Sequence, residues 1–276
     1  MKKAIQNISV LLSIAFAIAC GSQEKKSTET TQEQEPKQEV KLTESEQLIS
    51  EVESAHLTEK YSSQEVIQFD MHLIFRGKTR FKGKISMTPN GGLVRMEDSI
   101  KTMIWDGQMA YISPDTSSYA KARFDLLTWS YFFAAPYKLN DPGTQKEFLG
   151  NKNLNGEKYP AFKLSFEGGV GDSPDDWYIV YQDSKTDLLA AMAYIVTYSK
   201  SQEKAEQDPH AITYEAYTEV EGIPFATQWN FWTWNEAGEL HKLLGEAQIS
   251  NIQFTKKAEG LFQPPAQSRQ VEKPSV

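Results

Sequence analysis

Cys20 is the one thiol in the 276-residue chain, so its setting decides what a lone sulfur can do. Without a second cysteine the chain forms no intramolecular disulfide and no cysteine metal site. His56, His72, His210 and His241 fall on separate segments, which gives no metal-ligand spacing and favours surface or hydrogen-bonded histidines. The loop Gly168-Gly169-Val170-Gly171-Asp172-Ser173-Pro174-Asp175-Asp176 carries three carboxylates of the kind that bind Ca²⁺, but not in the ligand order of a calcium loop. A solvated turn is the better reading of it. Neither a G-x-S-x-G elbow, an H-E-x-x-H zinc helix nor a G-x-x-x-x-G-K-[ST] phosphate loop occurs. The expectation is a protein that is not an enzyme and uses no cofactor and no metal.

Lys2 and Lys3 precede an apolar run, Ile8 to Ala19, that ends in small residues, the three-part plan of a signal peptide. The run is well short of the roughly 20 apolar residues a membrane span needs. Ala17-Ile18-Ala19-Cys20 resembles the lipobox of bacterial lipoproteins. That resemblance implies cleavage before Cys20, a diacylglyceryl group on its sulfur and a fatty acyl chain such as palmitate on the new amino terminus. Two or three chains make a durable anchor where one binds only marginally. Gly21 stands where an inner-membrane retention signal has Asp, so resemblance to Gram-negative sorting implies an outer-membrane, lipid-anchored protein with its leaflet open.

Composition narrows the partners. Losing Lys2 and Lys3 with residues 1–19, which contain no acid, takes the formal net charge from −8 to −10. An acidic chain of this kind is a poor match for nucleic acid or for an anionic membrane surface through charge, so the membrane partner is reached through lipid. Residues 21–41 are almost entirely Gln, Glu, Lys, Ser and Thr and cannot bury enough apolar surface to order themselves. The organisation expected is a signal peptide at 1–19, a lipidated cysteine and disordered tether at 20–42, one folded domain at 43–262, and a flexible tail at 263–276 rich in proline.

Within the domain, Leu48, Ile49, Val52, Ala55 and Leu57 predict a helix over 44–60, with Thr43 and Glu46 at capping-box spacing. The period then changes to two: Ile67, Phe69, Met71, Leu73 and Phe75 alternate with mostly polar residues, as do Phe81, Ile85 and Met87. Short strands follow near 93–97, 100–105 and 108–113, the last two joined by Asp106-Gly107. Later strands are predicted near 159–167, 177–182, 188–199, 212–219, 226–234 and 240–254, about eleven in all. Short turns between them require a mostly antiparallel sheet. Between the two sets, Phe124, Leu126, Leu127, Trp129, Tyr131, Phe132 and Phe133 cover nearly the whole circumference of a helix that Pro136 stops. Trp229 and Phe231 face one side of their strand while Trp232 and Trp234 face the other, so that strand is expected to be covered twice.

Trp105-Asp106-Gly107, Ser113-Pro114-Asp115, Tyr131-Phe132-Phe133-Ala134 with Pro136, Asp141-Pro142-Gly143, Gly222-Ile223-Pro224 and Glu246-Ala247-Gln248-Ile249-Ser250-Asn251-Ile252 resemble an uncharacterised group of exported Bacteroidota lipoproteins. More distantly, the order of helix, strands, inserted apolar helix and closing strands resembles the LolA, LolB and LppX superfamily. That resemblance implies an α+β fold: a curved antiparallel half-barrel with helices on its concave side, holding acyl chains or other lipids between them. Two arrangements fit the residues. The central helix fills the concavity, leaving an interaction module that works through its surface, or it lies as a lid over a site for a hydrophobic small molecule or lipid. In the second arrangement the lining candidates are Phe69, Met71, Leu73, Phe75, Phe81, Ile85, Phe124, Leu127, Trp129, Tyr131 and Phe132.

Overall fold

Thr43 opens the first helix, α1 (Glu44–Ala55), through a reciprocal cap: its hydroxyl accepts the Glu46 N–H at 3.3 Å and the Glu46 carboxylate accepts the Thr43 N–H at 2.8 Å. The computed structural model describes residues 42–274. Cys20, the signal peptide and tether residues 20–41 lie outside the described residues. The helix predicted to run to Lys60 stops early, because Leu57 adopts a left-handed conformation (φ 52°) and a second short helix, α2 (Thr58–Ser62), starts in a new direction. The break lets side chains on either side of it, His56 and Tyr61, both pack against Tyr137. His56 is buried, and the Tyr61 ring stacks on Tyr137 at a centroid distance of 3.5 Å.

Period-two segments build the rest. The strands are β1 (Val66–Phe75), β2 (Lys78–Met87), β3 (Val94–Glu97), β4 (Thr102–Trp105), β5 (Ala110–Ser113), β6 (Thr144–Leu154), β7 (Glu157–Phe166), β8 (Tyr178–Gln182), β9 (Leu189–Tyr194), β10 (His210–Val220), β11 (Ile223–Trp234), β12 (Leu240–Thr255) and β13 (Arg269–Val271). They form one curved, open, antiparallel sheet in the order β13-β5-β4-β3-β2-β1-β12-β11-β10-β9-β8-β7-β6. The α+β class and antiparallel sheet match the expectation, with 13 strands instead of about eleven. Both extra strands are at the sheet's edges. In β6 the exposed Gln145, Glu147 and Lys152 break the apolar alternation, as suits a strand with one neighbour. The stretch read as a tail contributes β13, where Arg269 pairs with Ile112 and Val271 with Ala110, and Val271 is buried.

The apolar central segment forms α3 (Ala122–Ala134), continued by a 3-10 turn at Ala135–Tyr137. The buried residues of α1 and α3 belong to one core with those of the sheet's inner face. The outer face has a smaller cluster of Ala161, Ala191, Ala193 and Ala211 beside Tyr181 and Trp234. Trp229 and Phe231 thus lie in the main core and Trp234 in the outer cluster. A further helix, α4 (Gln202–Glu206), sits in the loop between β9 and β10. No helix among the described residues is long and apolar enough to cross a membrane.

Candidate ligand cavity beneath the central helix

α3 presents two apolar stripes at helical spacing, and they meet different surroundings. Leu126, Trp129 and Phe133 are buried on the stripe that faces the centre of the sheet. There the Phe133 ring stacks on Phe69 at 3.9 Å and lies 5.5 Å from Phe225, while Trp129 meets Phe231 edge-on at 5.7 Å. Phe124, Leu127 and Tyr131 form the second stripe and are only half-buried. They line a cavity of about 380 Å³ whose opposite wall is Phe166 of β7, Tyr178 of β8, Tyr194 of β9, and Val196 and Tyr198 just beyond it. Aromatic pairs hold the walls together at its margins: Phe124 with Tyr198 at 5.1 Å, Tyr131 with Tyr178 at 5.2 Å and Phe132 with Tyr194 at 5.0 Å.

Both arrangements left open by the sequence therefore occur in one domain. Of the expected lining residues, the structure brings Phe124, Leu127, Tyr131 and Phe132 together at the cavity. Phe69, Met71, Leu73, Phe81, Ile85 and Trp129 are instead buried in the solid core, and Phe75 packs against that core half-buried. The reason is geometric. β1 and β11 meet the tightly packed stripe of α3 through Phe69, Phe225 and Phe231, and the gap lies on the side of β7–β9, bounded also by Trp105 and the turn at Asn90–Gly91. The opposite wall was missed, although Tyr178 and Val180 alternate on one face of a strand the pattern does predict.

Polar groups concentrate at the cavity's rim and far wall. Lys138, the one cationic liner among the described residues, donates to the Asn90 carbonyl at 3.0 Å and is paired with Asp141. Arg123 grips both carboxylate oxygens of Asp172, Nε to Oδ2 at 2.5 Å and Nη2 to Oδ1 at 2.7 Å, and its guanidinium lies 4.9 Å from the Trp105 ring centre. Lys273 donates to the Asp172 carbonyl, so the segment after β13 also fastens this loop. Asp176 Oδ1 accepts the Thr197 N–H and hydroxyl, each at 2.7 Å. Burial outweighs those bonds and pushes the Asp176 carboxyl up to about 6. The three acids of the glycine-rich loop thus diverge: Asp172 and Asp176 are engaged by protein groups, and Asp175 is exposed. Burial likewise raises the Tyr131, Tyr178 and Tyr194 phenols, which keep their protons throughout the physiological range.

The histidines do not converge. His56 is in the core, where its Nε2 accepts the Leu189 N–H at 3.0 Å. His72 is beside Thr79 on β1, His210 near Asp208 at the start of β10, and His241 beside Glu239 on β12.

A solved structure of a LolA superfamily protein from Nitrosomonas europaea superposes with a TM-score of 0.52 at 8% identity, covering 80% of this chain and 98% of that one. A DUF1329 family protein from Desulfovibrio piger gives a TM-score of 0.45 at 11% identity, covering 78% and 97% respectively. The first likeness identifies the fold as LolA-like. No curated protein matches the sequence. A family model described as a family of unknown function, DUF6503, matches residues 58–241.

Proposed function

We propose, from the premise that the chain belongs to the DUF6503 family and has a LolA-like fold, that it is an envelope lipoprotein whose cavity holds a hydrophobic ligand, an acyl chain or lipid. One observation carries the reading: α3 is a lid with one sealed edge and one open edge, and the open edge leaves about 380 Å³ walled mainly by aromatic and aliphatic side chains. That volume falls in the range of small-molecule sites. An alkyl chain entering it gains about 25 cal/mol for each Å² of apolar surface removed from water. The function is binding, with no reaction assigned. A neutral naphthylamine dye titrated into the purified protein is expected to brighten saturably. Leu127→Trp, which extends a half-buried side chain into the gap, is expected to weaken that binding at least about tenfold, a loss of roughly 1.4 kcal/mol. Absence of saturable brightening would remove the ligand reading and leave an interaction module.

The anchoring part rests on the sequence around Cys20, where the lipobox resemblance supports acylation and Gly21, by resemblance to Gram-negative sorting, supports the outer membrane. Mass spectrometry of protein extracted from its native membrane is expected to find an amino-terminal peptide that begins at Cys20 and carries two or three acyl chains. An unmodified peptide running through Cys20 would end this part of the reading.

A further inference from the structure

Resting on the reading of the cavity as a lipid site, we propose that it selects an uncharged lipid with a hydrogen-bond-accepting polar group, such as the ester carbonyl of a monoacylglycerol, over the anion of a fatty acid. The first support is the state of the cations. Lys138 is already committed to Asp141 and the Asn90 carbonyl, and Arg123, just outside the lining, is committed to Asp172 through two bonds. Both pairs are neutral, so among the described lining residues an entering carboxylate finds no free cation and meets the carboxylate of Asp176, whose hydrogen bonds come from Thr197. Burying an unpaired anion is far more costly than burying an ester, and neighbouring like charges add to that cost.

The second support is the donors that remain. Tyr131, Tyr178 and Tyr194 line the cavity as a contiguous group, with ring centres 5.2 Å apart for the first pair and 6.1 Å for the second. Among the described residues none of their hydroxyls is hydrogen-bonded to a protein group, unlike Tyr214, whose hydroxyl donates to the Phe132 carbonyl at 3.0 Å. Their protons are held by burial, so they act as donors toward whatever enters. A carbonyl oxygen on an otherwise apolar molecule satisfies such donors without bringing charge.

The test compares two ligands of one chain length, monomyristoylglycerol and myristate, as displacers of the naphthylamine dye from the full chain carrying Cys20→Ser at about pH 8. The glyceride is expected to displace at a concentration at least about tenfold lower than the anion. Myristate is expected to strengthen as the pH is lowered to about 5 and it gains a proton, while the glyceride is unchanged. In the triple variant Tyr131→Phe, Tyr178→Phe, Tyr194→Phe, the dye is expected still to bind and the ratio to fall to within about threefold. If that variant does not fold, the pH response of the parent protein decides alone. Equal or better displacement by myristate at pH 8 overturns the selectivity and leaves the lipid site standing. Failure of both lipids against bound dye overturns the assignment of an acyl ligand, and failure of the dye itself overturns the site.

Discussion

Arg80→Met is expected to lower the free energy of unfolding by about 3 to 5 kcal/mol, because it leaves a carboxylate buried without its cation. Asp125, in the first turn of α3, has a side chain only 2% exposed and receives Arg80 Nε at 3.1 Å and Nη2 at 2.5 Å on Oδ1. The Tyr119 hydroxyl donates to the other oxygen. Arg80 also lies 5.6 Å from the Phe124 ring centre and 5.4 Å from that of Trp129, so the guanidinium ties β2 to both stripes of the helix. The double change Arg80→Met with Asp125→Leu removes both charges and is expected to recover most of the loss. Urea unfolding of the three proteins gives the comparison. A deficit below about 1 kcal/mol in the single variant would mean that the pair behaves like an exposed ion pair and does not hold α3 in place.

Acidification is expected to act through His56. Burial lowers its pKa from the ordinary 6.5 to about 3, and its Nε2 already accepts the Leu189 N–H. Between those two values the unfolded chain takes up a proton that the folded chain refuses, so stability falls as pH falls. At about 1.4 kcal/mol per pH unit the loss amounts to roughly 5 kcal/mol by pH 3. Asp176 works in the opposite direction. Its folded pKa of about 6 lies above the ordinary 3.8, so its contribution is fully present below 3.8 and is lost as pH rises through 6. In the parent protein the two contributions offset each other between about pH 4 and 6, and the fall steepens below that window. His56→Gln retains an acceptor for Leu189 and removes the first contribution. Its stability relative to the parent is therefore expected to improve steadily from pH 7 down to pH 3 in urea titrations. A difference that stays constant over that range would show that His56 does not resist protonation.

Local rules made much of this fold legible. The Thr43–Glu46 cap, the alternation from Ile67 to Phe75 and the all-round apolar character of Phe124–Phe133 each follow from short-range chemistry, and each stands in the structure. What escaped depends on contacts between distant segments. Leu57 breaks the helix in the midst of continuing apolar periodicity, because burial of His56 and of Tyr61 against Tyr137 outweighs the local preference. Strand β6 reads as polar because its neighbours lie on one side only. The division of α3 into a sealed stripe and an open one is set by where β7–β9 stand relative to β1 and β11, which nothing within the helix encodes. For the same reason the first-half apolar residues named as lining proved to be core, while Phe166, Tyr178 and Tyr194 went unnamed.

The position of β12 between β1 and β11 has a consequence for the chain as it is made. Strands β1–β5 form one meander and β6–β11 another, and the keystone that welds them follows both in the chain. Until Thr255 has emerged, each half keeps a raw margin of unsatisfied backbone along β1 or β11, and the contacts that close it span most of the polypeptide. The two halves thus cannot be joined before β12, which follows both, is made. Until β12 docks, the chain carries two adhesive borders for a chaperone to shield.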